Sequence, residues 1–576
     1  VTGVEVNVEL YPRERRAVFE GTYTLQNRTD KVIEELVVDY DYNATAIAHA
    51  IEGGRIEEVD SVHNVHRFAL DPPMAPNEKR TLSFHTERRN PGFKNSANVS
   101  KTNFNGTFLN NGDAMPSLGF NRDKMLQPRN ERRRYDREPL PRAPDLDDAS
   151  YFRENASRPD SDWVDFAVTI STDLDQLAIA PGYLEREWQE EGRRYFRYVM
   201  DRPINNFFSF QSANYEVAED TWKDIKLQVF YHAEHAFNVE RMMIAMKKSF
   251  EYFTEEFSPY QYRQMRILEF PAYQRFAQSF ANTVPFSESI GYVLDLRDEK
   301  NIDVVFYVTA HELAHQWWGH QVIPSSNQGA TMLIETFAQY RALMVMKREY
   351  GEHAMRRFLK YELDSYLTGR ANEPEAEKPL YRVENQPYIH YRKGSVVMYA
   401  LQDRVGEDVV NRSLARLIEE TANRIDPYPR TVDYLRILRE EAGAEHDELI
   451  SELFEEIVLF DLRVTEAKAE PRTDGRYDVT FTVDATKLES DEKGKEEPVP
   501  FEMPIDVGVF SEDLESVYEG DDHVLVFEKR SVKSGENTYS FTVDEAPVSV
   551  GIDPYNMLID RVSEDNLRQV SVSGGS

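Results

Sequence analysis

Apolar and polar positions alternate at the start of the chain. Val4, Val6, Val8 and Leu10 would share one face of an extended strand, and Phe19, Tyr23 and Leu25 repeat the pattern, with Pro12 and Asn27 as turn residues. Further short strands are predicted at residues 37–42, 80–84, 163–170 and 195–200, each bounded by Gly, Pro, Asn or Asp. Together they predict a β-rich N-terminal domain over residues 1–217. Inside it, residues 90–148 are rich in Asn, Pro and Arg but also carry Phe108, Leu109, Met115, Leu118 and Phe120. That apolar content predicts an ordered lobe lining a cleft, since long excursions from compact domains are commonly functional.

The period changes after Trp222. A strand is predicted at residues 225–231, followed by a helix over 238–257 whose Met242, Met243, Met246, Phe250 and Phe253 recur at helical spacing as a core-facing stripe. Strands at 265–270 and 292–296 precede a helix opened by Asp303, and helical periodicity runs over 355–460, which gives an α-rich domain over 218–461. Alternation then returns in Tyr477, Val479, Phe481 and Val483, in Ile505, Val507 and Val509, and in Tyr539, Phe541 and Val543. These predict a β-sandwich over 462–565, with 488–497 as a solvated loop and a tail over 566–576 ending in Ser573-Gly574-Gly575-Ser576.

The helix after Asp303 carries His311-Glu312-Leu313-Ala314-His315. Residues at i and i+4 project from one helical face, so the two imidazoles can share a metal ion, and this is a zinc-ligand spacing. Val304, Val305, Val308 and Ala310 continue into Leu313, Ala314 and Trp317 with helical period, and Gly319 supplies a stop. A catalytic zinc needs a third protein ligand and an open position for water. Glu335 is the candidate, early in a second apolar-periodic segment behind a loop of Pro324, Ser325, Ser326, Asn327 and Gly329. Glu312 lies about 100° round the helix from His311, positioned to take a proton from the zinc water, whose pKa falls toward about 7.

Composition adds bounds to this picture. At 576 residues the chain exceeds a single core, and 40% hydrophobic residues indicate a globular protein. A formal net charge of −34 argues against nucleic acid as a partner and acts first on solubility. The absence of Cys excludes disulfides and thiol catalysis. No apolar run approaches the roughly 18 residues of a membrane span, and Val1 suggests a processed or excised start.

HELAHQWWG from His311, Glu335 in ETFAQY, and Tyr391-Arg392-Lys393-Gly394 together resemble the aminopeptidase N family of gluzincin metallopeptidases. The resemblance implies a multidomain α+β protein: an N-terminal β-rich domain, a thermolysin-like α-rich zinc domain and a C-terminal β-sandwich. It implies one zinc ion on His311, His315 and Glu335, with Glu312 as base and Tyr391 as hydrogen-bond donor to the oxyanion. It also implies an anchor for the substrate's α-amine just before the zinc helix, where Pro285-Phe286-Ser287-Glu288-Ser289 keeps a carboxylate, Glu288, but loses the Gly, Met and Asn of the family's G-x-M-E-N. His315 to Glu335 leaves 19 residues where the family commonly has 18.

The runs YVTAHELAHQWWGHQVI and QGATMLIETFAQY are most similar to peptidase domains that end bacterial polypeptides with an ABC-transporter permease. That similarity implies an extracytoplasmic domain of a membrane protein, with a missing transporter segment as partner. The function expected is a zinc aminopeptidase for short peptides with a free N-terminus. The alternatives are an endopeptidase or other hydrolase on the same zinc site, or a transporter-linked peptide-binding module.

Overall fold

The computed structural model describes residues 1–90, 100–298, 301–517 and 520–572. Apolar alternation in the N-terminal region becomes a twisted sheet in which Tyr183–Glu190, Arg193–Val199, Trp163–Asp173, Gly3–Tyr11, Arg16–Gln26, Lys79–Arg89 and Ala44–Ile51 lie side by side. Val4, Val6, Val8 and Leu10 point into its core, each at most 4% exposed, while the intervening polar residues face outward. A second sheet of Gly54–Asp60, Val65–Met74, Ile33–Asp39 and Ser117–Leu118 packs with the first around a core that includes Phe19, Tyr23, Phe68 and Leu82.

The central region begins with four strands. β1 (Glu216–Trp222) runs antiparallel to β2 (Ile225–Tyr231), and β2, β3 (Gln264–Phe270) and β4 (Thr283–Ser287) are mutually parallel. Helices follow: α1 (Val239–Glu256) between β2 and β3, then α2 (Val304–Ala314), α3 (Phe337–Tyr350), α4 (Met355–Ala371), α5 (Gly394–Val405), α6 (Glu407–Thr421), α7 (Thr431–Ala442) and α8 (Asp447–Phe454). The predicted Met stripe is core: Met242 and Met246 are fully buried against β2, β3 and α2 residues of one continuous cluster.

The strand predicted at 292–296 does not form. The chain turns there, with the amides of Tyr292 and Val293 both donating to the Glu288 carbonyl, and the Asn238 side chain takes the Gly291 and Leu294 carbonyls that a ladder would have used. The last parallel strand is β4 instead, although it contains Pro285. The metal-motif helix also stops earlier than its apolar period suggested, at Ala314, before the chain reaches Gly319 with its φ of 109°. In place of further helix, the Trp318 carbonyl turns back onto the His315 ring.

After α8 the chain forms two facing sheets, as the fold class anticipated. One comprises Glu496–Val499, Tyr477–Ser490, Val458–Pro471 and Ser571–Val572, with Gly535–Val543 also paired to Tyr477–Ser490; the other comprises Val524–Lys533, Glu502–Phe510, Ser549–Ile552 and Leu567–Gln569. Val479, Phe481, Val507 and Val509 fill the space between them. Residues 488–497 form no simple loop, because both ends enter the ladder that pairs Lys487–Ser490 with Glu496–Val499. The terminal Ser573-Gly574-Gly575-Ser576 lies outside the described residues, as do residues 91–99 of the Asn/Pro/Arg-rich excursion.

The placement as an extracytoplasmic domain of a bacterial membrane protein, tied to an ABC transporter, is overturned. Among the described residues no helix is long and apolar enough to cross a membrane, and the helices that do form pack into globular cores.

Candidate active site

α2 is fixed at its start by Asp303, whose carboxylate accepts the Phe306 amide at 2.9 Å and also pairs with Arg241 at 2.6 Å. Val305, Phe306, Ala310 and Leu313 bury the helix, so its His-bearing face cannot rotate away from the interior. His311 and His315 are each 8% exposed, and their Nε2 atoms stand 3.0 Å apart. The Trp318 carbonyl accepts from His315 Nδ1 at 3.0 Å, which places the proton on Nδ1 and leaves the Nε2 lone pair facing its neighbours.

Glu335 enters from the segment before α3, in a π-helical turn over Met332–Thr336. Its Oε2 is 3.3 Å from His315 Nε2 and 3.4 Å from His311 Nε2. Three ligand atoms thus converge on one point within the reach of a single ion, and two imidazoles with a carboxylate are donors that suit zinc. Burial pushes the Glu335 pKa up, but the facing imidazoles, His315 foremost, outweigh it and hold the carboxyl well below its usual range.

Two further groups face this point. Glu312 is 5% exposed, and burial, the dominant cause, raises its pKa to about 7; its Oε2 has no hydrogen-bond partner. Tyr391 sits in a second π-helical turn, Tyr388–Lys393, with its ring 5.9 Å from that of His311. Burial first and the charge of Glu335 second push the phenol pKa far up, so the hydroxyl keeps its proton. The two wide turns are joined directly, because the Thr336 hydroxyl donates to the His390 carbonyl at 2.6 Å. π-helical turns of this kind recur at functional sites.

His311, Glu312, His315, Glu335 and Tyr391 line one cleft of about 160 Å³. Its other walls are Ser157, Asn205 and Phe207 from the N-terminal region, the segment Ala277-Gln278-Ser279, and Trp318, Gly319, His320 and Ile334. Among the described residues, the 90–148 excursion supplies none of these walls. Its described part instead backs onto the central region, with the Phe108 ring tilted against that of Phe270 and Arg142 paired with Glu373 at 2.6 Å.

Glu288 is not brought to the cleft. It follows the last residue of β4, where Oε1 accepts the Ala272 amide at 2.9 Å and Oε2 lies 3.8 Å from His235 Nδ1. The segment that does reach the cleft is a tight hairpin before β4, closed by the Phe280–Thr283 bridge. Gln316, at the end of the metal helix, fastens it: the Gln316 side chain donates to Ser279 Oγ at 2.6 Å and to the Phe280 carbonyl at 2.9 Å, and accepts the Asn282 amide at 2.9 Å. His320 Nε2 meets the Ser279 carbonyl at 3.1 Å. Polar Gln278, Ser279 and Asn282 interrupting the apolar run Phe276, Phe280, Val284 were the available signal for this wall.

This arrangement, a β-rich N-terminal region ahead of a helical domain with a His/His/Glu cluster, is the fold seen in solved M1 (gluzincin) zinc aminopeptidases. Residues 241–455 match the Peptidase family M1 domain. The chain is 25% identical over 182 residues to "Probable aminopeptidase 1" of Sulfurisphaera tokodaii, covering 30% of this chain and 23% of that protein. It is 28% identical over 123 residues to human "Endoplasmic reticulum aminopeptidase 2", covering 20% and 13% respectively. The alignments therefore span less than a quarter of either curated relative. Among solved structures, the M1 zinc metallopeptidase of Deinococcus radiodurans superposes with a TM-score of 0.55 at 15% identity, covering 79% of this chain and 93% of that one. Legionella pneumophila aminopeptidase A, solved with aspartic acid, gives 0.60 at 13% identity, covering 100% and 60%.

Proposed function

We propose that the protein is a zinc-dependent aminopeptidase for short peptides, with one zinc ion held in the cleft by His311, His315 and Glu335. The observation that carries this is the convergence of three ligand atoms beside a buried carboxylate, Glu312, that has an unpartnered oxygen and a pKa near 7. Zinc, when bound, supplies a Lewis acid for water activation and carbonyl polarisation. Glu312 takes the proton from the attacking water, its pKa suiting a general base near neutral pH, and returns it to the departing amine. Tyr391, held protonated, donates its hydroxyl hydrogen to the developing oxyanion. The Deinococcus radiodurans enzyme in variant form has been solved with a Tyr-Ser-Ala substrate, which agrees with a short peptide as ligand here.

In this scheme the substrate's amino end is received by neutral oxygens of Gln278 and Ser279, because Glu288 stands elsewhere. That same observation favours a second reading, a zinc endopeptidase: the carboxylates among the described lining residues are Glu312 and Glu335, both already employed. Hydrolysis of one short peptide, free and N-acetylated, separates the two. Cleavage of the free form alone is expected, and equal cleavage of both makes the enzyme an endopeptidase. A free form that survives zinc loading across several peptides would sink both readings.

A further inference from the structure

A second cluster lies at the carboxyl ends of the parallel strands, the place where open α/β sheets bind ligands. His232 follows β2 directly, Glu269 is the penultimate residue of β3, and Glu288 follows β4. His235 comes from the 3₁₀ turn Ala233–Asn238 that leads into α1. None of the four lines the cleft.

Glu269 is completely buried. Its Oε1 lies 3.0 Å from His232 Nδ1 and in direct contact with His235 Nδ1, while its Oε2 accepts the His232 amide at 2.7 Å. Glu288 Oε2 stands behind, 3.8 Å from His235 Nδ1, with its other oxygen tied to the Ala272 amide. One imidazole would be enough to compensate a buried carboxylate. Here two ring nitrogens are aimed at the same oxygen, so three donors crowd one point, and Glu288 stands outside them behind His235. Ligand atoms of His232, His235 and Glu269 all lie within 4.8 Å of one another, as do those of the cleft cluster.

We propose that His232, His235 and Glu269 form a second metal site, taking one Zn²⁺ ion. Imidazole and carboxylate donors suit this ion over the soft-ligand metals. The ion would tie the ends of β2 and β3 to the turn that starts α1.

Metal counting tests this independently of any activity. Protein stripped with chelator is reloaded with zinc in excess Mg²⁺, desalted and measured by plasma mass spectrometry. The wild type is expected to retain two zinc ions per chain, the His311→Ala/His315→Ala protein one, and the His232→Ala/His235→Ala protein one. The His311→Ala/His315→Ala protein leaves the second cluster intact, so zinc should still raise its melting temperature, and adding His235→Ala should abolish that rise. One zinc per wild-type chain overturns the proposal. So does a His311→Ala/His315→Ala protein, folded by circular dichroism, that retains no zinc and shows no thermal shift. So does a second equivalent that survives loss of both His232 and His235.

Discussion

Glu312 and Tyr391 can be separated from the metal ligands by what their loss changes. Glu312→Gln keeps the volume and the neighbours but removes the base. Turnover should fall about 10²–10⁴-fold while zinc content stays at the wild-type value, and preserved turnover would remove Glu312 from the proposed mechanism. Tyr391→Phe should lower kcat about 10²–10³-fold with KM little changed, since an oxyanion donor acts on the transition state. Far from the cleft, His49 packs its ring 4.6 Å from His66 and meets the Tyr40 hydroxyl at 2.8 Å. Burial, aided by His66, lowers the His49 pKa to about 4, and burial also lowers that of His66. Both rings are therefore neutral in the fold, whereas the unfolded chain takes up protons below about pH 6.5. Their contribution to stability is complete above that pH and is lost as pH falls toward 4. Melting temperatures across this range should decline, and His49→Gln should flatten the decline.

At the scale of elements, the seam between the two π-helical turns is the most exacting contact. Gly394, which closes the Tyr391-Arg392-Lys393-Gly394 run, lies against Thr336: a Cβ there would stand 2.6 Å from Thr336 Oγ1 and 2.7 Å from its Cγ2. Gly394→Ala should cost about 1–3 kcal/mol in unfolding experiments, as overpacking does. It should also depress turnover, because Thr336 is the neighbour of Glu335 and bonds the residue before Tyr391.

What the sequence could reveal follows from the range of each constraint. His311, Glu312 and His315 were legible because helical spacing alone puts them together, and Glu335 because one loop returns it to the same place. Gln278 and Ser279 were not, since their position depends on Gln316, more than thirty residues onward. The position of Glu288 outside the cleft lining and the missing strand at 292–296 have one cause: where β4 ends is decided by Asn238 and by the turn on Glu288, neither of which has a local pattern.

For the molecule as a whole, the layout of β, helical and β regions was readable from the switch of hydrophobic period, but the sharing of cores was not. The helical core continues into the C-terminal sheets through Leu459, Leu488, Phe510, Leu514, Met557 and Ile559, each less than 9% exposed. Burying such side chains contributes about 1.5–3 kcal/mol apiece, and their sum rivals the net stability of a domain, about 5–15 kcal/mol. A chain ending at residue 457 should therefore lose its cooperative melting transition and become protease-sensitive; a sharp transition in that fragment would show the helical region to be self-sufficient.

The Gln316 clasp also bears on how this cleft can change over generations. Because one side chain holds Ser279, Phe280 and Asn282 at once, a hairpin imported from another protein would arrive without its fastening and would loosen the end of the metal helix. Replacements at Ala277 and Gln278, which line the cleft outside the clasp, would leave that fastening intact. A library confined to those two positions should yield altered selectivity at little cost in folding, whereas one that includes residue 316 should return mostly inactive protein.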